Sequence, residues 1–164
     1  IDALQHFKDT RAAQVLIDAY YRAADFKRER AETMATIQCQ VLAALGVNGN
    51  PLAVKTLKAI ANAPPEGGDD KNRQQDLDQR IAAARALAHF PQYEAAEALV
   101  TVLRTEQDVA LRNRATESLQ EMTGEELPAD AQAWADFLHQ SANPDALAKK
   151  PSLADKFFKL ISFP

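Results

Sequence analysis

The chain has 164 residues, of which 46% are hydrophobic and 26% charged, so it is long enough for one domain with a continuous core. Its formal net charge of −4 argues against a general nucleic-acid-binding protein, which needs a positive field to displace the counterions of the phosphate backbone. No apolar run approaches the roughly 20 residues of a transmembrane helix. The scarcity of glycine, with five in the chain, favours helix.

The chain begins at Ile1 without a methionine, and residues 3–7 resemble the end of a helix whose start is missing. We therefore expect a fragment or a processed chain, in which any upstream targeting signal is missing. The sequence predicts no compartment. The single cysteine, Cys39, excludes an intrachain disulfide and is neutral on this question.

Helical spacing of apolar residues predicts three helices in the first part of the chain. Their apolar stripes begin at Ala12, Met34 and Val54. Gly46 is predicted to end the second helix, because glycine readily adopts the left-handed conformation found at helix ends. Pro51 suits the first position of the third helix.

Residues 64–70 contain two prolines and two glycines and form the clearest loop of the sequence. After this loop, the apolar pattern predicts a helix from about Asp76 to Phe90. A further helix contains Leu99, and the next one ends at Gly124. The helices therefore come in pairs.

A short closing helix over residues 130–141 is predicted to finish the array. It carries Trp134, Phe137 and Leu138 at helical spacing. Tryptophan is a common hot spot at protein interfaces, but this spacing favours a plug over the core of the last repeat.

One short pattern occurs twice at an interval of 32 residues: an Asp four residues before an Arg, with a leucine seven residues beyond that Arg. The two copies comprise Asp76, Arg80, Leu87, Asp108, Arg112 and Leu119. Each Asp is interpreted as a helix cap, and each Arg as its partner or the partner of the next repeat. The recurrence predicts a repeat array, in which one helical hairpin buries its apolar face only against a neighbour.

The predicted array covers residues 1–141, and residues 142–164 form a linker and an amphipathic tail. The repeats span about 9–46, 47–90 and 91–124. The middle repeat is longer than the last by about ten residues, so the loop near residues 64–74 is interpreted as an insertion.

These residues resemble the HEAT-repeat family, of the short bacterial type related to the phycobilin-lyase-like repeats. The resemblance is strongest at Asp108, Leu111, Arg112, Ala115, Leu119 and Gly124. It implies an all-α fold: a right-handed solenoid of about three helical hairpins with a closing helix. It further implies a scaffold rather than a particular chemistry, because most members of this family are scaffolds.

The sequence predicts no catalytic residue, metal or cofactor. Cys39 has no acidic or histidine partner at helical spacing, so a buried structural role is expected. The histidines His6, His89 and His139 are scattered, whereas a zinc site needs several converging ligands.

Two surfaces are candidates for binding a partner. The second helices of the repeats are expected to line a concave face, on which Arg80, Arg85, Arg112 and Arg114 offer positive charge among mixed signs. For Arg80 and Arg112, the favoured interpretation is a structural role in the repeated Asp and Arg pairs.

The second surface is the tail over residues 152–163. Its partner-binding residues are predicted to be Leu153, Phe157, Phe158, Leu160 and Ile161. Exposing so many apolar side chains costs roughly 1.5–3 kcal/mol each. The tail therefore either folds back on the array or docks on a protein or a membrane surface.

The favoured function is a non-catalytic protein–protein interaction scaffold, a subunit or segment of a larger assembly. The alternatives are an accessory lyase-like enzyme, which the resemblance allows, and a membrane-peripheral adaptor that acts through the tail. No nucleic-acid partner is expected.

Overall fold

The computed structural model describes residues 1–25, 31–65 and 67–140, and this part of the chain is all-α, as predicted. Its helices are α1 (Thr10–Asp25), α2 (Ala31–Asn48), α3 (Leu52–Ala61), α4 (Asp70–Leu87), α5 (Tyr93–Thr105), α6 (Val109–Thr123) and α7 (Ala131–Gln140), preceded by a 3₁₀ turn at Leu4–His6. The predicted tail over residues 152–163 lies outside the described residues.

The helices form two layers. In one layer α1, α3, α5 and α7 pack successively on one another, and in the other layer α4 lies between α2 and α6. Each pair α1 and α2, α3 and α4, and α5 and α6 also packs together across the two layers. Every hairpin thus buries its apolar face against its neighbours, and the hairpins share one core.

A single continuous core runs between the layers, from Leu16 in α1 to Leu138 in α7. Leu57, Leu99 and Leu119 are fully buried in three different helices. None of the helices in the described part of the chain is long and apolar enough to cross a bilayer.

A ring of hydrogen bonds links α1, α2 and α4 at the margin of this core. The hydroxyl of Tyr20 donates to Gln79 Oε1 (2.8 Å), and Gln79 Nε2 donates to Gln38 Oε1 (3.0 Å). Gln38 Nε2 then donates to the carbonyl of Tyr20 at 3.5 Å. Because buried polar groups need partners, the ring fixes how these three helices are placed against one another.

Gly46 does not end α2, contrary to the prediction. The helix continues to Asn48, and Gly49 adopts the left-handed conformation (φ 68°). A Cβ atom at position 46 would lie 2.9 Å from His89 Cδ2 and 3.1 Å from Ala86 Cα, so this glycine allows α2 and α4 to approach closely. The role of Gly46 is therefore close helix packing, and not the helix end that the sequence predicted.

Helix α4 begins at Asp70, six residues before the predicted start. Asp69 is its N-cap, and its Oδ1 accepts a hydrogen bond from the backbone N–H of Asn72 (2.8 Å). Asp76 is therefore not a cap but lies inside the helix. The predicted insertion at residues 64–74 is a shorter loop followed by additional helical turns.

Two further predicted boundaries differ slightly: Pro51 is the N-cap of α3 and not its first residue, and α4 ends at Leu87, before the predicted Phe90. The predicted boundaries at Asp108, Gly124 and the start of the closing helix are confirmed. Asp108 caps α6, and its Oδ1 accepts from the backbone N–H of Leu111 (3.0 Å). Gly124 ends α6 in the left-handed conformation, with φ 76°. Asp130 precedes α7, and its Oδ1 accepts from the N–H of Ala133 (2.7 Å).

The segment 124–130 lies along α6 and joins it to α7. Three side chains bind its carbonyl groups: Arg112 Nη2 donates to Ala129 (2.8 Å), Gln120 Nε2 to Leu127 (3.1 Å) and Trp134 Nε1 to Pro128 (2.9 Å). The fully buried ring of Trp134 packs edge-on against Phe137, which confirms its role as a plug.

Candidate functional site

An open groove with a volume of about 590 Å³ lies where α3 and α5 end. Its lining residues come from the end of α3 and the following loop, from α4, and from the last turns of α5: Asn62, Ala63, Pro64, Pro65, Arg80, Thr101, Thr105, Glu106 and Gln107. The volume falls within the range of about 300–1,000 Å³ that is typical of ligand sites. This groove is the candidate functional site.

A buried cluster of charges forms the inner part of the groove. The guanidinium of Arg80 is bound to the carboxylate of Glu106, and its Nη1 lies 3.9 Å from Asp76 Oδ2. The side chains of Arg80 and Glu106 are 7% and 11% exposed. Because α4 supplies the cation and the end of α5 supplies an anion, the pair ties neighbouring hairpins together.

Glu106 is held in its ionised form. Burial alone would raise the pKa of its carboxyl group, but hydrogen bonds from the backbone N–H groups of Asp108 and Gln107 and from Arg80 outweigh that effect. The pKa of Glu106 is therefore lowered from its ordinary value.

The threonine hydroxyls and the Asn62 amide of the groove wall have their donors engaged elsewhere. The hydroxyls of Thr101 and Thr105 donate to carbonyls one turn earlier in α5, each at 2.9 Å. Asn62 Nδ2 donates to the carbonyls of Lys58 (3.1 Å) and Ala98 (3.2 Å). The hydroxyl oxygens consequently remain as hydrogen-bond acceptors on the wall.

A second, smaller groove of about 150 Å³ lies between α5 and α7. Its lining includes Tyr93, Val100, Arg104 and His139. It is on the side of α5 towards the closing helix, so the two grooves are separate surfaces that share the lining residue Thr101.

The structure places the four predicted arginines in different surroundings. Arg80 is only 5% exposed and is bound to Glu106. Contrary to the prediction, it therefore does not offer its charge on a concave binding face. Arg112 donates to the carbonyls of Leu103, Glu106 and Ala129. Arg112 thus satisfies carbonyl groups at the end of α5 and in the segment 124–130, and Arg80 ties α4 to the residue that follows α5.

Arg85 and Arg114 are the more accessible members of this set. Arg85 is exposed on α4, and the half-buried Arg114 pairs with Glu117 and Glu121 of its own helix. The structure does not bring these two residues into the groove. The predicted tail residues lie beyond the described part of the chain.

Cys39 is half-buried on α2. Burial and the nearby carboxylate of Asp78 raise the pKa of its thiol, so the thiolate form is disfavoured. Within the described ranges, no group of three or more His, Cys, Asp or Glu residues is placed to hold a metal ion.

Apart from Arg80, the residues of the groove were not predicted as a site from the sequence. Asn62 lies far along the chain from Thr105 and Glu106. All three lie at helix ends, where each resembles an ordinary surface residue. The two prolines at 64 and 65 marked the loop but gave no indication of what it faces.

Comparisons with models of protein families, with curated proteins and with solved structures find no significant match for this chain.

Proposed function

We propose that this chain is a non-catalytic protein-binding scaffold built as an array of HEAT-like helical hairpins. The observation that carries the proposal is the successive packing of hairpins in two layers, each one contacting its neighbours. Such arrays present extended surfaces to other macromolecules, and their grooves lie between adjacent repeats. The groove between α3 and α5 lies at such a position.

The chemistry of the groove favours binding over catalysis. Its charged lining residues, Arg80 and Glu106, are bound to each other. A general acid needs a pKa near the working pH, whereas the pKa of Glu106 is lowered. A lyase-like reaction would therefore lack a poised acid at this position.

The tail supplies a second proposed contact. Its residues Leu153, Phe157, Leu160 and Ile161 repeat at helical spacing, with Phe158 beside them. We propose that this apolar stripe is buried in the working assembly. Hydrogen exchange of residues 152–163 tests this, and rapid exchange that persists in the purified native complex would exclude it.

Affinity purification tests the scaffold function. The full 164-residue chain is used as bait, and any stoichiometric partner is identified and then reassembled from purified components. We expect Arg85→Glu to weaken the complex, since Arg85 is exposed on the predicted binding face, and Arg11→Glu on α1 to leave it intact. Both changes alter the net charge equally.

The absence of any stoichiometric partner, or equal binding by both variants in the reassembled complex, would contradict the proposal. An activity found with purified chain alone would favour the enzyme alternative instead.

A further inference from the structure

One asparagine of the chain stands directly before a glycine. It is Asn48, the last residue of α2, whereas the other asparagines of the sequence precede alanine, arginine or proline. An asparagine loses its side-chain amide without an enzyme when the backbone nitrogen of the next residue attacks its Cγ atom. Because glycine has no Cβ to obstruct this attack, the pair Asn48 and Gly49 is the one best suited to spontaneous deamidation.

The amide of Asn48 joins the N-terminal segment, residues 1–9, to the turn between α2 and α3. Its Nδ2 donates to the carbonyls of Phe7 (2.5 Å) and Leu4 (3.4 Å), and its Oδ1 accepts from the backbone N–H of Asn50 (3.2 Å). The residue is fully buried. Two carbonyls need a donor and one N–H needs an acceptor, so these partners fix the orientation of the amide.

The same contacts hold Asn48 away from the reaction in the folded chain. Its backbone belongs to α2, and the N–H of Gly49 donates to the carbonyl of Leu45 at 3.1 Å, so the attacking nitrogen is engaged. The amide must leave both carbonyls of the N-terminal segment before Cγ is free to turn towards Gly49. Deamidation therefore requires that this segment opens first.

The N-terminal segment has few contacts to keep it closed. No residue of its 3₁₀ turn at Leu4–His6 is fully buried, and Phe7 is 60% exposed. The half-buried Leu4 packs against the core. Segments with so little buried apolar surface open at a lower free energy than the core, so this one opens while the array stays folded.

Deamidation would make the opening permanent. The nitrogen of Gly49 forms a bond to Cγ of Asn48, ammonia leaves, and water then opens the resulting succinimide ring to aspartate or isoaspartate. Either product has an ionised carboxylate, which only accepts hydrogen bonds. It would face the carbonyl oxygens of Leu4 and Phe7 without a donor, and leaving such groups unpaired in a buried place is costly.

We propose that Asn48 is a deamidation site controlled by the N-terminal segment: opening of residues 1–9 permits the reaction, and the product prevents their return. Water is the only co-reactant. The inference goes beyond the scaffold function and does not depend on it. The reaction would turn a reversible local motion into a lasting change that uncovers the end of α2 and the surface beneath Leu4.

Peptide mass spectrometry of the full chain, incubated at mildly alkaline pH, tests the control by the N-terminal segment. Leu4→Ala weakens the contact of this segment with the core, and Phe7→Ala removes an exposed side chain from the same segment. We expect Leu4→Ala to accelerate deamidation of Asn48 about tenfold and Phe7→Ala to leave its rate nearly unchanged. The chain unfolded in urea gives the unprotected rate, and isoaspartate among the products identifies the succinimide route.

Two aspartate variants test the consequence of the reaction. Asn48→Asp and Asn50→Asp make the same change of charge within one turn. The half-buried Asn50 uses its Oδ1, which an aspartate retains, to accept from Leu52 N–H (3.0 Å), and loses only a 3.5 Å bond to the carbonyl of Lys8. We expect the amides of residues 4–7 to exchange with solvent about tenfold faster in Asn48→Asp and nearly unchanged in Asn50→Asp.

Equal deamidation rates in the folded and the urea-unfolded chain would show that the fold does not protect Asn48, and would overturn the proposal. Equal rates in folded Leu4→Ala and Phe7→Ala would exclude control by the N-terminal segment. If Leu4→Ala does not fold, Leu4→Val takes its place with a smaller expected acceleration. Unchanged exchange of residues 4–7 in Asn48→Asp would refute the claim that the product prevents the return of the segment.

Discussion

Removing the carboxylate of Glu106 is expected to destabilise the whole array. In Glu106→Ala, Arg80 remains buried and keeps only the distant carboxylate of Asp76, 3.9 Å from its Nη1. The backbone N–H groups of Gln107 and Asp108 also lose an acceptor. Breaking one side of a buried ion pair typically costs about 3–5 kcal/mol, a large part of the roughly 5–15 kcal/mol that stabilises a domain.

Thermal and urea unfolding, followed by circular dichroism, measure this loss. For a domain of this size 1 kcal/mol shifts the Tm by about 2–4 °C, so a decrease of roughly 6–20 °C is expected. Glu121→Ala is the control, because Glu121 is an exposed partner of Arg114 at 3.7 Å, and pairs of this kind contribute at most about 1 kcal/mol. A Glu106→Ala decrease no larger than that of the control would refute the reasoning.

The same ion pair predicts a dependence of stability on pH. The pKa of Glu106 is lower in the folded chain than in the unfolded one, so its stabilising effect is complete above the unfolded pKa of about 4.3. This effect is lost as the pH falls through the lower, folded pKa. The stability difference between the natural chain and Glu106→Gln should therefore be constant near pH 7 and shrink below about pH 4. A difference that grows on acidification would contradict this assignment.

Three further changes test the packing of the array by the same unfolding measurements. Leu99→Ala empties a fully buried position and should cost about 2–5 kcal/mol, whereas Val109→Ala, at a position 69% exposed, should change stability by at most about 0.5 kcal/mol. Gly46→Ala should destabilise by about 1–3 kcal/mol although alanine favours helix, because its Cβ would meet the backbone of α4 at 3.1 Å; an increase in stability would show that the helices can separate without cost. Asp69→Ala should cost about 0.5–2 kcal/mol through loss of the cap, and a neutral result would place the start of α4 elsewhere.

The helices were predictable because their signals are local. Apolar residues at helical spacing, as at Leu57 and Leu99, identify the buried face of a helix whatever it packs against. The cap at Asp108 and the left-handed Gly124 were equally clear, since their bonds are made within a few residues.

The errors arose where two signals competed. Gly46 resembles a helix end, but its role depends on α4, about forty residues further along the chain. Asp69 and Asp76 are both of a residue type that caps helices. Only Asp69 stands immediately before the first residue of α4. The groove was not predictable at all, because Arg80 and Glu106 meet only after two hairpins have packed.

The segment 124–130 determines how this array can be lengthened by design. Arg112 and Gln120 of α6 bind its carbonyl groups, so the segment covers the side of α6 that carries these two residues. An extra repeat appended at that point would have to displace both bonds and would expose the plug, Trp134. Duplicating an internal hairpin leaves this end intact and is therefore the better route to a longer protein.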